Sequence, residues 1–442
     1  LLLSPPFISS LFFTRRRSFF TMGREDPEFT DDDLNLPFFH GALMDEDMEK
    51  LLELPGDFVV LLRNKELGDG TTSQTIFLAV RARAGNDKDA VFRTNIKKND
   101  DGIKVLNKTF TDINKCVDWF KKEPRNIAGG QSVHLKRPIN RGKWYIRHRD
   151  IQWQKRIGSG AYGQVFRCKL LPGKNIVAAK RLAGATGADE LSDMMKEARV
   201  MQLYDHPNIV KFYGYAVDKP PFILVMEFCN GGAVEDRLRK EKQKPIPAKV
   251  RANWLTQAAA GIEYLHKKNC IHRDIATRNC LIHEDTIKIA DFGMCRATSV
   301  YKVNLAKPQN VRWLAPEVWR TGETNFRTDV YAFAVMMWEM FIIPYDTPYR
   351  AWKAIIVKRR VMEGYRMEPP PLMPDPIRKV LALCWNHNAS ERPPMGEIRK
   401  MLAEIEPSVE GYKVGSSEPD WESMSKSKSS SMPNGGGTKS QT

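Results

Sequence analysis

The apolar period changes along the chain, and those changes divide it. Between Pro37 and Pro138 the pattern predicts a short helix over Asp45 to Leu54 and an apolar strand over Phe58 to Leu62. A second strand follows over Thr75 to Arg81, and another helix over Asp112 to Phe120. This is a small α+β unit, set at residues 37–138. Residues 139–150 lie in a polar, basic stretch containing Gly142 and form a linker. A larger unit spans residues 151–405, strand-like in its first third and helical with intervening loops thereafter. Residues 1–36 and 406–442 are expected to be disordered. From Pro407 onward Ser, Lys, Gly and Pro dominate, leaving too little apolar surface to offset the entropy of ordering.

Composition narrows the class. With 42% hydrophobic and 28% charged residues the chain can bury a sizeable core. The net charge of +16 favours anionic partners in general, but the basic residues are dispersed and no zinc-finger or RNA-recognition pattern occurs, so nucleic acid is not expected. Seven cysteines without CxxC pairs argue against a disulfide framework and for a reducing compartment. The apolar opening is broken by Pro5 and Pro6, and its basic residues Arg15 to Arg17 follow rather than precede it, unlike a signal peptide. Met22 is a candidate start, but a myristoylation motif would need Ser or Thr where Pro27 or Glu28 stands. The longest internal apolar run, Tyr331 to Ile343, falls short of the ~20 residues that span a bilayer and includes Glu339, so it is expected to be a core helix.

The candidate chemistry begins at Ile157-Gly158-Ser159-Gly160-Ala161-Tyr162-Gly163-Gln164-Val165. Glycines at this spacing let backbone amides close over phosphate oxygens without a Cβ in the way. A dinucleotide-binding fold would need a helix next, whereas Phe166 to Leu170 is strand-like. Lys180 ends the apolar strand Val177-Ala178-Ala179, where a buried ammonium needs an anionic partner. Glu197, on a helix predicted over Leu191 to Leu203, can supply it. His272-Arg273-Asp274 with Asn279, then Asp291-Phe292-Gly293, complete a set. In-line phosphoryl transfer needs a carboxylate to take the hydroxyl proton, oxygen ligands for magnesium and a cation on the moving phosphate. Asp274, Asn279 with Asp291, and Lys180 with Arg278 fit those needs. Each fragment alone also fits an ordinary turn; their order together does not.

On these motifs residues 151–405 resemble a protein kinase, and specifically a tyrosine kinase. Supporting motifs are Ala315-Pro316-Glu317, Asp329 and Glu391-Arg392-Pro393. The resemblance implies a bilobal fold with a β-rich N-lobe and helical C-lobe, and ATP with magnesium as cofactors. It also implies an ion pair between Glu317 and Arg392, and Asp329 holding the catalytic-loop backbone. Adenine would lie between Ala178 and Leu281, bonded to the hinge around Glu227 to Cys229 with Met226 as gatekeeper. Serine/threonine kinases carry Lys two residues after the catalytic Asp; here stands Ala276, and the cation is Arg278. Val311-Arg312-Trp313 resembles the platform for a tyrosine ring, although Asn310 replaces the proline usual before it. Tyr301, the only tyrosine between Asp291 and Glu317, would be autophosphorylated, its phosphate pairing with Arg273 first.

Residues 37–138 resemble a Src homology 2 module, through Phe38-Phe39-His40-Gly41 and Gly56-Asp57-Phe58-Val59-Val60. The order of the two units is similar to the Fes/Fer group of non-receptor tyrosine kinases, in its short nematode-type form. Such modules grip phosphotyrosine with a central-strand arginine and a second arginine at the first helix. Counted without gaps the strand position falls on Leu61; Arg63, two residues on and on the same face, is the other candidate for the phosphotyrosine-binding arginine, directly or through a two-residue insertion, while the helix position falls on Asp45, which repels phosphate. Weak phosphopeptide binding is expected, with intramolecular docking as the other role. The expected protein is monomeric and cytoplasmic, with peripheral plasma-membrane attachment as an alternative, and acts on protein substrates at tyrosine. An inactive kinase-like scaffold and a dual-specificity kinase are the competing readings.

Overall fold

A computed structural model describes residues 28–66, 72–83, 90–126, 132–160, 163–173, 175–182, 188–241 and 246–409. The chain forms two compact units, one containing Asp45–Arg63 and Gln74–Arg141, the other running from Gly142 onward.

The first unit is a mainly antiparallel sheet with two helices. Its elements are β1 (Phe39–Ala42), α1 (Asp45–Leu51), β2 (Asp57–Glu66), β3 (Thr72–Arg81), β4 (Val91–Asn99), β5 (Gly102–Val105), β6 (Lys108–Phe110) and α2 (Ile113–Lys122). Short strands β7 (Arg125–Asn126) and β8 (Ser132–Val133) pair with each other, and β9 (Arg137–Pro138) lies parallel to β2. Sheet order is β1-β2-β3-β4-β5-β6. On α2, Asp112 caps the start by accepting from Lys115 N at 2.9 Å, and Ile113, Cys116, Val117 and Phe120 form the buried stripe. That stripe packs on Phe58, Val60 and Leu62 of β2 and on Leu78 and Val80 of β3. Helix α1 stops at Leu51 rather than at the expected Leu54, because Pro55 disfavours helical backbone before it. This α+β arrangement is compatible with the Src homology 2 resemblance.

The second unit starts with a five-stranded antiparallel sheet, order β10-β11-β12-β14-β13, from β10 (Ile151–Gly160), β11 (Gly163–Leu170), β12 (Asn175–Leu182), β13 (Phe212–Ala216) and β14 (Ile223–Glu227). Helix α3 (Ala188–Met201) packs against it. Beyond lie β15 (Gly232–Ala233), α4 (Val234–Arg239), α5 (Ala248–Lys267), β16 (Cys280–His283), β17 (Thr286–Ile289), β18 (Val300–Lys302), α6 (Pro316–Thr321) and β19 (Glu323–Asn325). Helices α7 (Phe326–Phe341), α8 (Ala354–Met362), α9 (Asp375–Cys384) and α10 (Met395–Ile405) complete it. The expected core helix is α7: Asn325 and Thr328 form a capping box, and every residue from Thr328 to Phe341 is buried. Gly261 lets α5 approach, since a Cβ there would meet Asn208 O at 2.7 Å. No described helix is long and apolar enough to cross a membrane.

Order extends past the expected boundaries. Residues 28–36 belong with the first unit: Leu36 is buried, Phe29 and Leu34 pack on its core, and Lys98 bonds Asp33 at 2.6 Å. At the other end a 3₁₀ turn over Glu406–Val409 buries Val409, while residues 410–442 lie outside the described set. The expected linker is also structured, with Trp144 against Phe212 at 5.4 Å between ring centroids and Ile146 N donating to Tyr215 O at 2.9 Å. All seven cysteines are buried free thiols.

Candidate active site

The glycine-rich segment forms the end of the β10–β11 hairpin, where Gly158 faces Val165, Ser159 faces Gln164 and Gly160 faces Gly163. Gly163 adopts φ +128°, a conformation side chains rarely take. Ile157 lies half-exposed near this end, and Ala161 falls outside the described residues. On β12, Lys180 sits across from Val165 on one side and Leu224 on the other. Its Nζ reaches Glu197 Oε1 at 3.0 Å and Oε2 at 2.9 Å, and Asp291 Oδ1 at 3.9 Å. Burial holds the Glu197 carboxyl above its usual pKa, against the pull of Lys180; the charge of Asp291 pushes it the same way. Two carboxylates thus share one ammonium.

The loop from Ile271 to Asn279 is hung on α7. Both Asp329 carboxylate oxygens take backbone amides, from His272 and from Arg273, each at 2.8 Å, and His266 Nε2 lies 3.0 Å from Oδ2. Arg273 and Asp291 take left-handed backbone, φ +69° and +62°, a cost of the kind that persists where surrounding structure over-determines it. The buried Asp274 carboxylate accepts from Asn279 Nδ2 on Oδ2 at 2.7 Å, and from Arg278 and Asn310 on Oδ1, the latter at 2.7 Å. Asn279 Nδ2 also donates to Asp274 O at 2.8 Å, which leaves its Oδ1 as the oxygen it can offer a cation. Magnesium commonly takes one or two protein oxygens and completes its shell with phosphate and water. Asp291 and Asn279 suit it, and among the described residues no larger cluster of His, Cys, Asp or Glu competes.

Beneath the sheet an apolar slot gathers Val210, Cys229, Ala290, Met226 and Leu281, with Ala178 paired to Met226 across the strands. Glu227 does not turn its carboxylate to the slot: it holds Lys288 at 3.0 Å, and its N–H donates to Lys211 O at 2.8 Å. Burial pushes the Cys229 thiol up to about 12.

The segment after Asp291 carries Tyr301 on β18, paired with Thr324 of β19. Two guanidinium groups flank its ring, Arg273 at 4.6 Å and Arg296 at 4.9 Å from the centroid. A hydrogen bond from Arg296 lowers the Tyr301 pKa, with help from Arg273 and Lys307 against burial. The platform residue Trp313 stacks under Arg278, 4.2 Å from ring centroid to guanidinium carbon. Glu317 and Arg392 form the expected pair at 2.7 and 2.9 Å.

Three participants escaped the sequence reading. Arg296 flanks the Tyr301 ring at 4.9 Å, a second cation beside Arg273 at 4.6 Å. Asn310 donates to Asp274 Oδ1 at 2.7 Å, a contact that its place in the sequence does not announce. Glu339, fully buried in α7, accepts from Thr277 N and Oγ1 at 3.3 and 2.9 Å, Trp313 Nε1 at 3.0 Å and Tyr345 hydroxyl at 2.9 Å. It thereby ties the Asp274 loop to the Trp313 platform. The one available signal for Glu339 was a carboxylate within an apolar run, which demands partners.

A glycine-rich hairpin, a lysine paired to a carboxylate, and a buried carboxylate beside Asn279 and Asp291 form an arrangement that suits phosphoryl transfer. Residues 151–402 match the family described as protein tyrosine and serine/threonine kinase, and the chain belongs to that family. It is 32% identical to Fer-related kinase 1 of Caenorhabditis elegans, over 86% of this chain and 96% of that protein. It is 31% identical to the tyrosine-protein kinase Fer of Homo sapiens, over 83% of this chain and 44% of that one. It is also 31% identical to the transforming protein Fps of avian sarcoma virus (strain PRCII), over 83% and 67%.

Proposed function

We propose that this chain is an active protein-tyrosine kinase that transfers the γ-phosphate of ATP, with magnesium, to tyrosine in protein substrates. The observation that carries the reading is the arrangement around Asp274: Arg278 reaches back to it and also stacks on Trp313, while the small Ala276 stands where serine/threonine kinases carry Lys. A phenol resting on the platform brings its hydroxyl farther from the peptide backbone than serine does, to the Asp274 carboxylate. Asp274 takes the hydroxyl proton as the oxygen attacks, the bond between γ-phosphorus and its bridging oxygen breaks, and ADP leaves. Lys180, held by Glu197, orients the α- and β-phosphates, and the hairpin from Gly158 to Gly163 closes over them. Asp291 and Asn279 would hold magnesium, which would supply positive charge to offset that of the transferred group. Adenine occupies the slot between Ala178 and Leu281, bonding the Glu227 carbonyl and the Cys229 backbone. Incubation with ATP, magnesium and a random tyrosine polymer tests the reading; labelling of serine polymers alone would refute it.

Activation proceeds through Tyr301. Its flanking arginines form a ready cationic pocket, and each charge-assisted bond to a phosphate contributes ~1.5–3 kcal/mol, enough to shift a two-state segment about tenfold. Mass spectrometry after ATP treatment should find phosphate on Tyr301, and Tyr301→Phe should lower the preincubated activity about tenfold. Undiminished activity would leave Tyr301 without that role.

The first unit acts as a weak Src homology 2 module, or docks within the chain. Leu61 is buried, while Arg63 projects from the same face of β2 and bonds Asp45 at 2.9 Å; Arg93 reaches the same carboxylate at 3.2 Å. Asp45 therefore occupies the cations that a phosphate would need. At about 4 Å in water each unit-charge repulsion costs roughly 1 kcal/mol, and a phosphate carries about −1.5 to −2. Asp45→Ala should accordingly raise phosphotyrosine-peptide affinity about tenfold. Tight binding by the unaltered chain that vanishes in Arg63→Ala would overturn this. Cytoplasmic residence and a monomeric state complete the proposal.

A further inference from the structure

We infer that Asn310 is a positioning residue for the Asp274 carboxylate, linking the orientation of the proton acceptor to the conformation of the activation segment; this rests on the reading of Asp274 as that acceptor. The carboxylate is held from two sides. Asn279 binds Oδ2 and Arg278 binds Oδ1, both from the same loop as Asp274. Asn310 also binds Oδ1, at 2.7 Å, and is the one partner of the three that comes from the activation segment.

The backbone gives no reason for asparagine here. Asn310 has φ −78°, within reach of proline and of ordinary residues. It precedes the 3₁₀ turn Val311–Trp313, a place where asparagine commonly caps with its side chain, yet it makes no side-chain cap bond. Its carboxamide is directed at Asp274 instead. Its carbonyl accepts from Trp313 N at 3.0 Å, so one residue both starts the tyrosine platform and holds the acceptor. A proline in its place offers no side-chain donor, so the link belongs to this chain's own sequence. When the segment moves, one of three donors leaves Asp274, and the carboxylate gains freedom to rotate away from the incoming hydroxyl.

Asn310 is solvent-exposed, so its contribution is smaller than that of a buried charge-assisted bond. With the full-length, ATP-preincubated chain, Asn310→Ala is expected to lower kcat about three- to tenfold and to leave peptide KM within about twofold. Asn310→Asp matches the side chain in size but replaces the donor with a repelling oxygen, and should lower kcat further. In a Tyr301→Phe background, where the segment is not locked, the Asn310→Ala effect should shrink. An unchanged kcat in both Asn310 variants would overturn the inference, and so would a lower KM at constant kcat, which would make Asn310 a competitor of the substrate hydroxyl. Asp274→Asn measured in parallel separates the two readings. If it is inactive while Asn310→Ala is normal, only the inference fails; if it is fully active, the assignment of Asp274 falls with it.

Discussion

Asp274→Asn is expected to reduce tyrosine phosphorylation about 10²–10⁴-fold while nucleotide binding persists, the range that a positioned general base supplies. Asparagine preserves the size of the side chain, but its amide nitrogen must face a donor, since Oδ2 of Asp274 accepts from Asn279 and Oδ1 from Arg278 and Asn310; part of the loss therefore comes from the disturbed loop. Lys180→Met should also act strongly, about 10²–10³-fold, because it removes a preorganised cation from the phosphates and leaves Glu197 and Asp291 facing one another. Steady-state assays with saturating ATP and magnesium, beside a nucleotide-binding titration, provide the check. Full turnover in Asp274→Asn would defeat the mechanism.

Arg392→Met is expected to be strongly destabilising. The Arg392 guanidinium is fully buried and makes two bonds to Glu317, one to Arg327 O at 3.0 Å and one to Asn386 O at 2.9 Å. Removing one member of such a pair leaves a charge without its partner, at a cost of ~3–5 kcal/mol. For a unit of this size the thermal midpoint should fall by about 6–20 °C. Glu317→Gln combined with Arg392→Met should cost less than the two single changes added together, because the coupling is lost only once. Strict additivity in thermal melts would show that the pair is not coupled. Since Glu317 lies in the first turn of α6, just after Trp313, the same change should weaken peptide turnover at temperatures below the melt.

The strands and helices that were legible are those whose burial pattern is periodic and local. Helix α2 announced itself through its cap and its stripe, and β12 through Val177, Ala178 and Ala179. Strands β4 to β6 were missed because their sequences, such as VFRTNIKKN, are too polar to stand out, and successive pairing, β4 on β3, β5 on β4 and β6 on β5, rather than intrinsic preference makes them strands. The ordered residues 28–36 and 406–409 were missed for a related reason: a few contacts, such as Lys98 with Asp33 and Asn253 with Glu406, hold segments of ordinary loop composition.

By itself the sequence determined the family and the reaction class, since phosphoryl transfer admits few residue types and they occur here in a fixed order. Only the tertiary structure decided which groups meet. Lys180 and Glu197, Tyr301 and Arg296, Asp274 and Asn310, and Glu339 with Thr277 and Trp313 are separated along the chain by 17, 5, 36, 62 and 26 positions. Hydrogen bonds and ion pairs act over about 3–4 Å, and such proximity between distant residues exists only after strands have paired and helices have packed.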